Sequence, residues 1–588
     1  MTNQEFPLFR FKEERPHLVA DVSRRAFNDL IRESRRGEVH GLEYILNDAA
    51  FQEIARMQRE RGSEEEVRSI AWWRSLSKRL AVMGEPEKRE ILWSLIESYA
   101  EDIAGRFNPT VYKLATSALP IGMSFMFKAQ DVKELPSPSL KNIKSTMRHI
   151  RDLTDRVALE GDTARLRSLA RKGTLVFVPT HSSNMDSILV GWALYEAGLP
   201  PVTYGAGKNL FSNPLTGFFM HNLGAYKVDR RLQHRLYKDI LKLYSQVLIE
   251  RGYHSLFFPG GTRCRSNEVE QHLKLGLLGT TLTGYEHNLL EYDDAKPVFI
   301  CPVTINYNLV LEADSLINDH FRREGGGRYL LENDEFNQLS AVTRFVMNTM
   351  RMDSTTILRF GEPMDSFGNR VEADGESYDA RGRRVDRKSY VRSARTGVIC
   401  HDVSRDRQYT RYTGRRIAES FLKNTVLMPT QVVSYALFDI LQKRYPQWDV
   451  YALLRFGAEE VISWDEVHEA VNKLLVELKD LAKQEVLHLS PFLTEERPDH
   501  IVYAGLDYLR MFHMPPAVEK WADGVMLQKL ELIYFYGNRV RSFERNLEEV
   551  RRLHFQIESG EQAPSTLDPK SLNGRGAGAA RTSSEIHD

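Results

Sequence analysis

A chain of 588 residues, 42% hydrophobic and 27% charged, can bury a large core and is too long for one ordinary domain, so three or four structural units are expected. Its 80 basic and 80 acidic side chains cancel, so the overall charge gives no argument for a nucleic-acid partner or a highly acidic substrate, and any electrostatic function must be local. The three cysteines, Cys264, Cys301 and Cys400, are far apart and odd in number, which excludes a disulfide framework and a cysteine-rich zinc site and fits a reducing compartment.

The opening run, MTNQEFPLFRFKEERP, has charges and a proline where a secretory leader needs an uninterrupted apolar segment, so no export signal is expected. Residues 1–145 hold helix-period runs such as EKREILWSLIESYAEDIAGRF, which predict a helical N-terminal domain. No run reaches the roughly 18 apolar residues of a membrane span, and the most apolar segment, Leu114 to Phe127, is interrupted by Pro120. Over residues 146–365, short β-rich runs (TLVFVP, PVTY, SLFFPG, PVFICPVTINYN, TTILRF) alternate with helical segments such as RLYKDILKLYSQVLIERG. That texture predicts an α/β domain, a mixed sheet flanked by helices. Residues 366–416, rich in Gly, Asp and Arg, are expected as an irregular insert; helical patterns return over 417–559; and 560–588 has too little apolar surface to offset its ordering entropy, which predicts a disordered tail.

Within the α/β segment, TLVFVPTHSSNMDSILVGWAL reads as a buried strand ending at Pro179, a polar turn, and a helix beginning near Asn184. His181 and Asp186 straddle that turn. In one continuous helix a spacing of five would put them about 140° apart, so only a strand-to-helix corner lets them cooperate. There His181 can accept a proton from an attacking hydroxyl while Asp186 fixes the tautomer and steadies the imidazolium. With 17 histidines, about one such spacing is expected by chance. Two decoys exist: His234 to Asp239 lies within a helical pattern, and His401 to Asp406 follows no strand. Ser183-x-x-Asp186 also reads, more blandly, as a capping box.

Three downstream segments add cations and a turn. HNLGAYKVDRR, strand-like from His221, ends in Lys227, Arg230 and Arg231, a cluster that equally fits a solvated strand end. RGYHSLFFPGGTRCRS delivers Gly260, Gly261 and Thr262 between a strand and the pair Arg263 and Arg265; converging amides and guanidinium forks suit a phosphate, although Gly-Gly after a strand is more often a plain turn. VFICPVTINY, Val298 to Tyr307, reads as a strand broken at Pro302 and expected at a sheet edge. Cys264, beside arginines that would lower its pKa, is a rival nucleophile; the plainer reading is a small residue in a loop.

The order and spacing of the four segments resemble the four sequence blocks of the glycerol-phosphate and lysophosphatidate acyltransferases. His181 to Asp186 is similar to block one, Gly224 to Arg230 to block two, Phe258 to Cys264 to the third block Phe-x-Glu-Gly-Thr-Arg-Ser, and Val298 to Val303 to block four. Arg251-Gly252-Tyr253 and the run NTVLMPTQVVSYALF resemble the glycerol 3-phosphate branch. The resemblance implies direct acyl transfer from acyl-CoA or acyl-carrier protein to the sn-1 hydroxyl of glycerol 3-phosphate, for phospholipid synthesis at the cytoplasmic face of a membrane, with no cofactor, metal or covalent intermediate. His181 would be the base, Asp186 its partner, Lys227, Arg230, Arg263 and Arg265 the phosphate ligands, and the Gly260–Gly261 amides the oxyanion donors. Two positions depart from the pattern: Gly260 replaces the family's block-three Glu and Cys264 its Ser. The first leaves open another acceptor, lysophosphatidate or dihydroxyacetone phosphate, and a lipid-binding pseudoenzyme.

Without a spanning segment, membrane contact is expected to be peripheral, through Leu114 to Phe127 with the aromatic GFFMHNLGAY run, and through the insert's Arg383, Arg384, Arg387, Lys388, Arg392 and Arg395. Each basic residue near an anionic leaflet contributes about 1 kcal/mol within a Debye length. The protein is therefore expected to sediment with anionic liposomes at low salt, to be released at high salt, and to bind less when those six residues become Gln. Binding indifferent to salt and to the substitutions would remove the insert as an anchor.

Overall fold

The computed structural model describes residues 6–36, 41–59, 64–116, 157–211, 214–292, 295–324, 356–513 and 515–559. Four helices come first: α1 (Phe11–Arg36), α2 (Leu42–Arg59), α3 (Glu64–Arg79) and α4 (Glu85–Ile103). The central layer then alternates β1 (Val157–Glu160), α5 (Thr163–Lys172), β2 (Thr174–Pro179), α6 (Asp186–Glu196), β3 (Thr203–Gly207), α7 (Pro214–Asn222), β4 (Ala225–Val228), α8 (Arg235–Glu250), β5 (Ser255–Leu256), α9 (Leu275–Glu291), β6 (Val298–Tyr307), α10 (Ala313–Glu324) and β7 (Thr356–Phe360).

Eleven strands form one mixed sheet. The short strands β8 (Met364–Asp365), β9 (Arg370–Val371), β10 (Ser377–Tyr378) and β11 (Arg384–Val385) extend it beyond β6, in the order β11-β10-β9-β8-β6-β2-β5-β3-β4, while β7 pairs with both β6 and β1. β2, β3, β4, β5 and β6 run parallel; β7 and β8 run antiparallel to β6. Every residue of β2 and β6 is buried, as expected where helices cover both faces of parallel strands.

β6 is not at an edge. It lies between β2 on one side and β7 with β8 on the other, and it continues through Pro302. The proline is tolerated because its missing N–H falls on the side where the partner changes from β8 to β7, and there its carbonyl still accepts from Gly361 N (2.8 Å). The run from His221 is not all strand either, since α7 continues to Asn222 and β4 begins only at Ala225. Over 366–416, expected as irregular, the turn-rich segment pairs as β9, β10 and β11 and then enters α11 (Val403–Lys423), which crosses the expected boundary at 417.

The C-terminal part follows: β12 (Val426–Leu427), α12 (Pro429–Arg444), α13 (Val450–Phe456), β13 (Val461–Ser463), α14 (Trp464–Lys483), β14 (His488–Leu489), α15 (Pro491–Glu495), α16 (Pro498–Met511), β15 (Val518–Lys520), β16 (Gly524–Leu527), α17 (Leu530–Arg541) and α18 (Glu544–Ser559). α12 begins at Pro429, pre-set in φ for a first helical position, and is buried throughout Pro429 to Phe438. It packs against α17 so closely that Gly537 lies beside the Tyr435 backbone, where a Cβ would sit 3.2 Å from Tyr435 Cα. One core unites the sheet with this helical part, including Phe177, Ile300, Phe438 and Tyr536.

No helix among the described residues is long and apolar enough to cross a membrane. Of Leu114 to Phe127 only 114–116 are described, and the expected tail 560–588 lies outside the described residues. In the insert, Arg383 and Arg384 pair with Asp379 and Glu376 (2.7 and 2.8 Å), and Arg387 donates to Gly375 O (2.8 Å), so these three also hold the insert together.

A second core joins the N-terminal helices to α8, with Leu18, Leu92 and Ile96 meeting Ile240, Tyr244 and Val247. Gly105 N donates to Tyr244 Oη (3.0 Å), and Arg25 holds Glu250 through two hydrogen bonds (2.5 and 3.0 Å). Ile240, fully buried in this shared core, is therefore expected to cost about 2–5 kcal/mol when cut to Ala, in one cooperative denaturant transition followed by circular dichroism. A separate early transition would show that the N-terminal helices fold apart from α8.

Candidate active site

The ladder between β2 and β6 runs one residue past Pro179, since Thr180 N donates to Val303 O (2.9 Å) and Thr180 Oγ1 accepts from Ile305 N (3.0 Å). The chain then turns over 181–185 and enters α6 at Asp186. Asp186 is fully buried, and its carboxylate gathers the turn around itself: Oδ2 accepts from Ser182 N (2.7 Å), Ser183 N (2.9 Å) and His181 Nδ1 (2.8 Å), and Oδ1 from Tyr307 Oη (2.5 Å). A carboxylate so supplied with donors is an acceptor only, so His181 carries its proton on Nδ1 and keeps the Nε2 lone pair for another partner.

The capping-box reading is half met. Asp186 takes the Ser183 N–H, but Ser183 Oγ donates to Glu312 Oε2 (2.9 Å) and accepts from Met185 N (3.1 Å). Glu312, fully buried just before α10, also accepts from Asn184 N (2.9 Å) and stands 3.7 Å from Arg263 Nη1.

His181 is held on every side. Phe258 stacks on its ring (centroids 4.2 Å apart), its carbonyl accepts from Cys264 N (2.6 Å), and its amide donates to Glu270 Oε1 (3.0 Å). From α17, the buried Arg539 reaches Ser182 Oγ (3.3 Å) and Asn267 Oδ1 (3.0 Å). The same helix holds the loop after β5, with Asn538 Nδ2 donating to Ser266 O (2.9 Å). Burial, and then the charges of Arg263 and Arg230, lower the His181 pKa from its ordinary 6.5 against the raising influence of Asp186. Its neutral form, a proton acceptor, is the one present at neutral pH.

The expected phosphate ligands divide. Arg230 is exposed at the end of the β4 segment and makes no hydrogen bond or ion pair among the described residues; burial of its head, and then the charges of Arg263 and Arg265, lower its pKa. Arg265 is tied to Asp319 and to Thr262 Oγ1 (3.2 Å). Lys227 donates to Asp102 (2.9 Å), which Lys208 also holds (3.0 Å), so Lys227 fastens the N-terminal helices to β4. The Gly261 amide closes the turn onto Phe258 O (3.0 Å), at φ +72°, and is not available to an oxyanion. Lys274, which the sequence reading passed over, lies across Gly261.

Cys264 does not meet the requirements of a nucleophile: burial first, and then the charge of Glu270, raise its thiol pKa, and Sγ donates to Glu268 O (3.2 Å). The decoy histidines have other work. His234 caps α8 by accepting from Tyr237 N (3.2 Å). His401 does approach Asp406 (3.3 Å), but Glu286 is nearer (2.6 Å). These three are the one group among the described residues spaced to share a metal ion, and Arg405 already bridges both carboxylates. A cavity of about 610 Å³ lined by Arg10, Thr174, His254 and Lys296 opens at the amino ends of the strands, the opposite edge from His181.

Glu270, Glu312, Tyr307 and Arg539 were not singled out by the sequence. Tyr307 lay within the fourth segment; the other three carry no local pattern, because each acts through a contact distant in the chain.

Residues 161–306 match the family model described as Acyltransferase. Over 153 residues the chain is 35% identical to a protein named glycerol-3-phosphate acyltransferase from Haemophilus influenzae (strain PittEE), covering 26% of this chain and 18% of that protein. Over 202 residues it is 31% identical to one of the same name from Aeromonas hydrophila subsp. hydrophila, covering 34% and 23%. The one from Glaesserella parasuis serovar 5 is 37% identical over 153 residues, covering 26% and 18%. The chain thus spans less than a quarter of the length of these relatives.

The charges around His181 give a test that needs no substrate. Its imidazole, followed by NMR titration, is expected to titrate below 6.5; Arg263→Gln should raise the midpoint by removing a repelling cation, and Asp186→Asn should lower it by removing the stabilising anion. An unchanged midpoint in both variants would break the electrostatic account.

Proposed function

We propose that this chain, whose residues 161–306 belong to the acyltransferase family, moves a fatty acyl group from a thioester donor, acyl-CoA or acyl-carrier protein, to the sn-1 hydroxyl of glycerol 3-phosphate. The observation that carries the reading is the His181–Asp186 pair at the carboxyl end of β2, held in one tautomer and neighboured by Arg230 and Arg263. Active sites of open α/β sheets gather at that end of the strands.

His181 Nε2 takes the proton of the acceptor hydroxyl as its oxygen attacks the thioester carbonyl carbon. Asp186 stabilises the imidazolium through Nδ1. The tetrahedral intermediate collapses with loss of the carbon–sulfur bond, and the leaving thiolate recovers the proton from the imidazolium. The products are an ester and a free thiol. Arg230 and Arg263 hold the phosphate of the acceptor and fix its hydroxyl within reach of the base. With the Gly261 amide spent on its turn, the developing oxyanion falls to this same positive field. The greasy donor and product place the reaction at a membrane surface, reached from the cytoplasmic side by peripheral contact.

Labelled acyl-CoA and acyl-carrier protein, offered to the purified chain with glycerol 3-phosphate, lysophosphatidate and dihydroxyacetone phosphate, are expected to give acylated product from the first acceptor. His181→Ala should cut turnover about a hundredfold to ten-thousandfold without loss of fold. Arg230→Ala and Arg263→Ala should raise KM for the acceptor about tenfold or more, and far less for the donor. Undiminished turnover in His181→Ala would sink the mechanism, and equal effects on both substrates would sink the phosphate assignment.

A further inference from the structure

Strand β2 leaves one backbone donor without a ladder partner. Thr180 N–H faces β6, so the next amide, His181 N–H, faces the β5 side, where β5 has already ended at Leu256. Glu270 supplies the acceptor: its Oε1 takes that N–H at 3.0 Å. To reach it, the carboxylate lies against the bare Cα of Gly260. A Cβ at position 260 would stand 2.8, 2.9 and 3.0 Å from Glu270 Oε2, Cδ and Oε1, inside ordinary contact. Glu270 Oε2 is buried and has no hydrogen-bond partner among the described residues. Arg539 favours its ionised form, but burial first, and then the neighbouring Asp186, push the Glu270 carboxyl up to about 8. A carboxyl group is kept there at a solvation cost that packing alone does not explain.

Position 260 is where the resemblance places the block-three acid. We infer that Glu270 is a positioning residue for His181, and that it delivers from the downstream loop the carboxyl group that the side chain at 260 does not. The absence of a side chain at 260 is then a requirement of the arrangement and not a loss of function. Removal of Glu270 frees the His181 peptide at a strand end and unseats the imidazole from Phe258 and Asp186, so the effect falls on the base and not on the acceptor's phosphate. This inference rests on the acyl-transfer reading for its kinetic consequences, but its geometry is testable without it.

The experiment is a cycle of variants in the full chain, each checked for an unchanged melting temperature. Glu270→Ala is expected to lower kcat about tenfold to a hundredfold, the size expected when a buried donor loses its acceptor, with KM for the acceptor held within about twofold. Glu270→Gln, whose amide oxygen can still accept the His181 N–H, should keep most of kcat. Gly260→Ala should lower kcat in the native background by displacing the carboxylate, and cost nothing more in the Glu270→Ala background. Gly260→Glu combined with Glu270→Ala should recover the larger part of kcat over Glu270→Ala alone. The inference is overturned if Glu270→Ala retains native kcat, or if the transplanted acid gives no recovery in a folded protein. Should the native chain transfer no acyl group to any acceptor, the functional reading fails by itself. The His181 NMR midpoint then decides the placement: Glu270→Ala should move it up toward 6.5 as water reaches the ring, and an unmoved midpoint refutes the clamp. If Glu270→Ala does not fold, Glu270→Gln and Gly260→Ala carry the same test, and native kcat in Gly260→Ala overturns it.

Discussion

The buried carboxylate of Asp186 is the interaction from which the rest of the site follows. An ionised group taken out of water is tolerated only when its lone pairs are met. Here two backbone amides, a tyrosine hydroxyl and an imidazole meet them within 2.5–2.9 Å. Satisfying one charge therefore dictates three features at once. The turn at 182–183 curls its N–H groups inward, β6 is long enough to bring Tyr307 to the site, and the histidine ring has its tautomer assigned. The acid that starts α6 is also the acid that fixes the His181 ring.

Charge around this centre is layered by how it is paired. Arg265 is used by Asp319, Lys227 by Asp102, and Arg263 stands within 3.7 Å of Glu312, so three of the four cations expected to bind phosphate face carboxylates. Arg230 stands apart from these pairings and is exposed. The division has a physical logic: cations locked to carboxylates give the loop after β5 its shape at little net charge, and the less committed guanidinium groups leave a local positive field for an anion. The same field acts on His181, where it favours the neutral base.

What the sequence made legible was whatever is local. TLVFVP is β2 residue for residue, the helix starts within two residues of the expected place, and the corner between them holds His181 and Asp186 as the spacing required. Amphipathic period and turn chemistry suffice for such features because cause and effect lie within a few residues. Pro302 misled for the opposite reason: its cost depends on which neighbour faces it, and at the junction of β7 and β8 that cost vanishes. The pairing of Lys227, the burial of Glu312 and the reach of Arg539 are set by contacts more than a hundred residues apart, of which a single sequence carries no periodic trace.

Helix α17 has a wider consequence. It lies far downstream of the matched segment, yet it supplies Arg539 to Ser182 and Asn538 to Ser266, and Gly537 sets how deeply it can seat against α12. The matched segment is thus not an autonomous cassette that gene fusion or truncation can lift out intact; its walls are built by the rest of the chain.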